Sequence, residues 1–233
     1  LKIAFIYDRE IADSRWVYNH ELGRNSLAES FGDIVQTEKY ENCYTEELME
    51  EAVDEAVQKG AQMIFTVFPA QMNETLRTAV KYPKVKFLNC SVNLSSSAVR
   101  TYYARMHEAK FIMGAIAAST AENHKIGYVA DYPIYGTIAG INAFAIGAAL
   151  VDPWAKIYLA WSTKADGDWH REMRDLQVDV VSGPDTIKPH DASRAYGIYK
   201  LDQYGGIVNL AAPVINWGHY YELIVQTVLN GRS

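Results

Sequence analysis

The sequence predicts an α/β protein of two lobes, each built on a doubly wound parallel sheet, with the second lobe shortened. Three observations carry this expectation. Short apolar runs of strand type alternate with helical patterns from the first residue onward. The strand–loop–helix pattern that opens the chain at Leu1 opens again at Lys125. The 233 residues, 49% of them hydrophobic, suffice for one large domain or two small lobes.

The first lobe is expected over 1–122. Residues 2–7 read as a buried strand, followed by a loop without glycine and a helix over 16–31 with Tyr18, Leu22 and Leu27 roughly on one side. Residues 35–40 form a more polar second strand. Thr45 caps the next helix, with Glu46 and Glu47 in its first turn and Leu48, Ala52, Val53, Ala56 and Val57 on its apolar face. Gly60 stops it. Strands at 63–68 and 85–90 enclose a helix at 73–82 that Pro83 ends, and a short strand at 99–103 follows a serine-rich turn at 95–97. A long helix at 105–122 carries Met106, Phe111, Met113 and Ala117.

The second lobe is expected over 123–205. Lys125–Ala130 is a strand ended by Asp131, Tyr132 and Pro133. Thr137 is placed to cap a helix with Ile138, Ile141, Ala145 and Leu150 at helical spacing, and its small residues Gly140, Ala143, Gly147 and Ala148 let one side lie close to a sheet. Lys156–Trp161, 178–182 and 195–199 are further strands, with a short helix at 169–176. No helix of ordinary length fits between Pro184 and Ala195. The last part, 206–233, holds a return strand at 206–211 and a helix at 220–229. The lobes are expected to join near 119–125 and 203–207, with Gly205 and Gly206 supplying backbone freedom for hinge closure.

The formal charge of −6, without a Lys/Arg cluster, argues against nucleic acid as a partner. No segment has the length and apolarity of a membrane span, and no signal peptide is present in a chain that begins at Leu1. Cys43 and Cys90 are the only cysteines, and nothing in the sequence requires them to pair. The six histidines show no metal-type spacing, no nucleotide fingerprint follows the first strand, and no nucleophile elbow is present. Asp166 and Asp168 flank Gly167 as a solvated turn, in preference to a catalytic pair or metal loop. No cofactor is expected, and no nucleophile or base can be nominated for an enzyme.

Aromatic residues at loop edges remain: Tyr7, Trp16, Phe68, Tyr132, Trp161 and Trp217. Aromatic faces with carboxylates nearby suit a flat, polar, uncharged molecule, the ring supplying area and the carboxylate accepting hydrogen bonds. Each is equally readable as core. Trp16 either faces a cleft or packs its helix on the sheet; Asp131 either meets a ligand or accepts from its own loop.

Several stretches resemble the basic membrane lipoprotein family: AFIYDREIADSRWVYNHELGR (4–24), MNETLRTAVKYPKVKFLNC (72–90), YARMHEAKFIMGAIAA (103–118), KIGYVADYPIYGTIAGINAFAIGA (125–148) and VINWGHYY (214–221). The resemblance implies a periplasmic-binding-protein-like fold whose lobes close on a purine base or nucleoside, delivered to the membrane permease of an ATP-driven transporter. It implies an extracytoplasmic place, membrane-anchored or periplasmic. It adds Asp13 in the first loop and Asp202 as the acidic residue for ribose hydroxyls; Asp185, after the strand at 178–182, is a further candidate ligand residue. The chain departs from the family in lacking a helix between Asp185 and Ala195, so a ligand-sensing regulatory domain of a longer protein stands as the alternative.

Overall fold

Strand and helix alternate along the chain in the order β1 (Lys2–Ile6), α1 (Arg15–Phe31), β2 (Gln36–Tyr40), α2 (Glu46–Gln58), β3 (Met63–Thr66), α3 (Met72–Lys81), β4 (Lys86–Cys90), β5 (Val99–Tyr102), α4 (Met106–Thr120), β6 (Lys125–Ala130), α5 (Tyr135–Val151), β7 (Lys156–Trp161), α6 (Trp169–Asp175), β8 (Val180–Ser182), β9 (Ile198–Leu201), β10 (Ile207–Ala211) and α7 (Trp217–Leu229). This is the arrangement of a computed structural model, which describes residues 1–231 except 93–95, 132, 134, 166, 203 and 205. The serine-rich turn at 95–97 is therefore described only in part, and Tyr132, Asp166 and Gly205 lie outside the described residues.

The chain forms two compact units, Leu1–Ala104 with Ile215–Ser233, and Arg105–Val214. The divisions read from the sequence, at 122/123 and 205/206, fall elsewhere. The long helix α4 packs on α5 and sheet residues of the second unit. Its glycine explains why: a Cβ at Gly114 would collide with the Phe144 carbonyl, and one at Gly147 with the Phe111 carbonyl. Two helix backbones can approach that closely only where neither carries a side chain. The return strand β10 pairs with β9 and stays in the second unit, whereas α7 belongs to the first. Residues 104–105 and 214–215 are thus where the chain passes between units, not the Gly205–Gly206 turn.

In the first unit all strand pairs are parallel, in the order β2-β1-β3-β4-β5. Alternate residues of the buried strands feed opposite faces. Ile3, Phe5, Met63 and Phe65 pack under α1 and α7; Ala4, Ile6, Ile64 and Phe87 pack under α2 and α3. Ser14 caps α1, accepting from Val17 N at 3.2 Å, and Thr45 caps α2, accepting from Leu48 N at 3.2 Å. Cys43 and Cys90 are both buried and unpaired.

The second unit also has five strands, ordered β10-β9-β8-β6-β7. The β8–β9 link holds no helix among the described residues. That has a topological consequence. The pairs β6–β7 and β6–β8 are parallel, but β8–β9 and β9–β10 are antiparallel. A parallel return needs a crossover, usually a helix on the sheet face; without one the chain turns back at the same edge. The second sheet is mixed, where a parallel one was expected. α4 and α5 cover one face and α6 the other. α5 begins at Tyr135, two residues before Thr137, which lies inside its first turn and does not cap it.

Gly114→Ala and Gly147→Ala should each destabilise the protein by about 1–3 kcal/mol or more, because the added methyl must force two helix backbones apart. Urea unfolding of the purified variants measures this; unchanged midpoints would rule out the close contact.

Candidate functional site

In open parallel sheets, ligands sit beyond the carboxyl ends of the strands. In the first unit, that edge carries Tyr7 and Asp8 after β1, Val67 and Phe68 after β3, and Ser91 after β4. The pleat sends Tyr7 and Asp8 to opposite faces. Tyr7 is fully buried and its hydroxyl donates to Glu21 Oε2 at 2.9 Å. Burial, then the neighbouring Glu21 carboxylate, pushes the Tyr7 pKa well up. Burial works against the charged Glu21, but Arg24, bonded at 2.7 Å, together with Tyr7 and Lys39, outweighs it and holds the carboxyl below its ordinary range. Tyr7 therefore ties β1 to α1 and presents nothing at the edge.

Asp8 is the carboxylate that the edge does present, and the sequence reading passed over it. It is buried, with Oδ2 3.3 Å from Arg9 Nε and Oδ1 without a protein partner. Burial raises its pKa, offset only in part by Arg9. Asn89, near the end of β4, donates to Thr66 Oγ1 at 2.7 Å and to the Phe68 carbonyl at 3.1 Å, yet its Oδ1 has no partner. The Ser91 hydroxyl is likewise buried and unpaired. Buried polar atoms are nearly always hydrogen-bonded. Three that lack a protein partner stand at the ends of β1 and β4, about 10 Å apart by the strand spacing. Their signal in the sequence was a polar residue inside or directly after an apolar strand.

Trp16 stands over the same edge. It is half-buried in the first turn of α1, and its Nε1 donates to the Val67 carbonyl at 2.6 Å. Its ring meets His20 edge-on at 4.9 Å and Trp217 at 5.8 Å. Phe68 is half-buried, its N–H donating to Gln71 Oε1 at 3.1 Å. Asp13 is exposed in a turn whose N–H donates to the Glu10 carbonyl at 3.1 Å. Trp217 does not follow a strand. It opens α7, is 3% exposed, and stacks on His20 at 4.4 Å. Its ring packs among those of Trp16, His20, Tyr102 and Tyr221, and its Nε1 is buried without a hydrogen-bond partner.

In the second unit, Asp131 is exposed just after β6. Its carboxylate accepts from the Ser162 hydroxyl and its carbonyl from Thr163 Oγ1, so it ties its own loop to the loop after β7. Trp161, the last residue of β7, is the register partner of Ala130 and is half-buried against the core. Asp185 follows β8 and is paired with Lys110 of α4. Asp202 is a different case. Because β9 runs antiparallel to β8, its end lies at the start of β8, where Lys200 pairs with Val180. Asp202 is therefore at the opposite edge of the sheet from Asp131, and it accepts from Tyr204 N at 2.8 Å and Gly206 N at 2.7 Å within its own turn. The antiparallel return removes it from the strand edge that carries Asp131 and Asp185. Asp168 caps α6 through Arg171 N at 3.1 Å. Among the described residues, no group of histidines, cysteines and carboxylates is placed to hold a metal ion.

His20 sits behind Trp16, fully buried, with Nδ1 2.5 Å from the Tyr221 hydroxyl. Burial lowers its pKa from 6.5 to about 3. The native state thus refuses a proton that the unfolded chain accepts below pH 6.5. The contribution is fully present above pH 6.5 and is lost as pH falls towards about 3. At pH 4.5 the loss should reach about 3 kcal/mol. His20→Gln should flatten the fall in stability between these limits, measured by urea unfolding across pH. An equal slope in the variant would assign the acid sensitivity to other groups.

Residues 1–187 match the Bmp family, described as ABC transporter substrate-binding protein, PnrA-like. A purine-binding protein of Brucella abortus (strain 2308) is 28% identical over 243 residues, covering 99% of this chain and 69% of that protein. A Haloferax volcanii protein named as an ABC transporter glucose-binding protein is 26% identical over 240 residues, covering 98% of this chain and 61% of that protein. Two solved structures share the fold. A transcriptional activator of the comK gene from Bacillus halodurans superposes with a TM-score of 0.76 at 16% identity, over 100% of this chain and 83% of that one. An ABC transporter solute-binding protein from Conexibacter woesei gives a TM-score of 0.72 at 14% identity, over 99% and 81%. With four-fifths of its length matched by the family, the chain belongs to the Bmp family of ABC transporter substrate-binding proteins.

Proposed function

We propose that this substrate-binding protein captures a purine base or nucleoside outside the cytoplasm and delivers it to a membrane permease for ATP-driven uptake. The observation that carries the ligand reading is the strand edge of the first unit. Trp16, pinned by its bond to the Val67 carbonyl, offers an aromatic ring at the same strand edge that carries the unpaired acceptors Asp8 Oδ1 and Asn89 Oδ1. A flat ring bearing N–H donors satisfies both features at once: it stacks, and it supplies the hydrogens that these oxygens lack. The name of the Brucella relative supports the same reading. In the second unit, Asp131 and Asp185 follow β6 and β8 and are that unit's candidate acceptors. Tyr132 keeps its place as a sequence-based candidate.

The glucose-binding name of the Haloferax relative makes a sugar the competing ligand. Hydroxyls also donate to carboxylates, but a sugar has no π-face to stack on Trp16. Calorimetric titration with adenine, guanine, hypoxanthine, adenosine and glucose separates the two. Heat with a purine and none with glucose is expected. Heat with glucose alone, or with no compound at millimolar concentration, overturns the proposal.

Trp16→Ala should weaken purine binding by about 1–3 kcal/mol, the worth of one base–aromatic stack. Asp8→Asn replaces one acceptor by a donor and should cost about 1.5–3 kcal/mol with ligands that present an amine, and less with those that present a carbonyl. The same titrations, with melting temperatures recorded, check both. A lowered melting temperature with unchanged affinity would return either residue to a structural role.

A further inference from the structure

Lys110 is the lone charge in a helix otherwise apolar from 109 to 118, and it is buried. Its side chain is 8% exposed, while that of its partner Asp185 is 29% exposed. The ammonium holds Asp185 Oδ1 and lies 5.3 Å over the Tyr128 ring. Its stem passes Gly140 of α5, where an added Cβ would lie 3.5 Å from Lys110 Cγ. Tyr128 is the register partner of Ser182, and the Ser182 hydroxyl is buried without a protein partner. Four polar residues thus gather where β8 ends, on the face covered by α4 and α5. Only Oδ1 of Asp185 is bonded among the described residues; the second oxygen takes no protein hydrogen bond.

An isolated buried ammonium is costly, and one paired carboxylate offsets much of that cost. The pairing has a second effect. It neutralises Asp185 and fixes the direction of its remaining oxygen. A carboxylate neutralised in this way accepts from a neutral N–H donor and gains little from a cation. We propose that Lys110 is the positioning residue of the ligand site in the second unit: it holds Asp185 so that its outer oxygen receives the exocyclic amine of an uncharged aminopurine. This rests on the purine reading above and narrows it to the amine-bearing members.

The test is a double-mutant cycle read by calorimetry with adenine and with hypoxanthine, which carries a carbonyl where adenine carries its amine. Asp185→Asn and Lys110→Met should each weaken adenine binding by about tenfold or more, as expected for a hydrogen bond to a charged group. The double variant should bind no more weakly than Asp185→Asn alone, because the two act as one unit. Lys110→Arg should keep adenine within about threefold of the parent, and hypoxanthine should change far less than adenine throughout. Adenine affinity unchanged in Lys110→Met, losses that multiply in the double variant, or equal effects on both purines would overturn the proposal. If Lys110→Met does not fold, Lys110→Gln in the Asp185→Asn background keeps a neutral hydrogen-bonding pair; a further loss of about tenfold there would also overturn it. A parent protein that binds hypoxanthine and not adenine overturns this inference and leaves the purine reading standing. A parent that binds no purine overturns both.

Discussion

The first unit depends on a helix that the chain delivers last. α7 places Trp217, Tyr221 and Val225 against α1 and the upper face of the sheet, and all three are at most 3% exposed. Its approach to α1 is limited by Gly23, where a Cβ would lie 2.7 Å from Trp217 Cβ. Tyr221 touches Phe5 and Phe65 at ring distances of 5.0 and 4.8 Å. Without α7 the aromatic residues of β1 and β3 would face water. The polypeptide must therefore leave the first unit after β5, build the second, and return. That obligation sets both passages between the units, and it also sets Trp16, whose ring rests on Trp217 and His20.

Polar groups inside the two units divide by whether the protein satisfies them. Glu21 has Tyr7, Arg24 and Lys39 around it, so its charge is held in place and its role is structural. His20 is kept neutral by burial and wedged by aromatic rings. Asp8, Asn89, Ser91 and Ser182 keep unpaired atoms at or directly beyond the carboxyl ends of parallel strands, and Arg15, His20, Asp179 and Trp217 keep unpaired atoms elsewhere. A fully satisfied polar group rigidifies; an unsatisfied one in a buried edge is costly unless something else pairs with it. Tyr7 and Trp217 are aromatic and end up as scaffold, whereas Asn89 and Ser91 carry no obvious chemistry and end up at the edge.

The missing helix between β8 and β9 has an effect out of proportion to its length. It reverses the direction of β9, and with it the edge on which every later residue falls. Asp202 moves to the far end of the sheet, and β10 pairs within the second unit as an antiparallel neighbour. The candidate acceptors left beyond β6 and β8 are then Asp131, tied to the β7 loop, and Asp185, tied to Lys110.

The periodicity of apolar residues, the cap at Thr45 and the breaks at Gly60 and Pro83 are local properties, so the α/β class and nearly every element were legible in the sequence; Lys125–Ala130 and Lys156–Trp161 agree to the residue. Family membership was legible for the same reason, since the motifs that carry it are contiguous stretches. Local signals do not report which helix packs on which sheet, because that depends on contacts far apart in sequence. Hence α4 was read into the first lobe, although its glycine at 114 is matched by the glycine at 147. Nor do they report strand direction, which here turned on a link with no helix and displaced Asp202. Of the site, Trp16 and the strand ends could be read locally. The burial of Tyr7 and Trp217, the unpaired oxygens of Asp8 and Asn89, and the pairing of Lys110 with Asp185 across 75 residues exist only once the chain is packed, because burial and pairing are properties of neighbours the sequence does not place side by side.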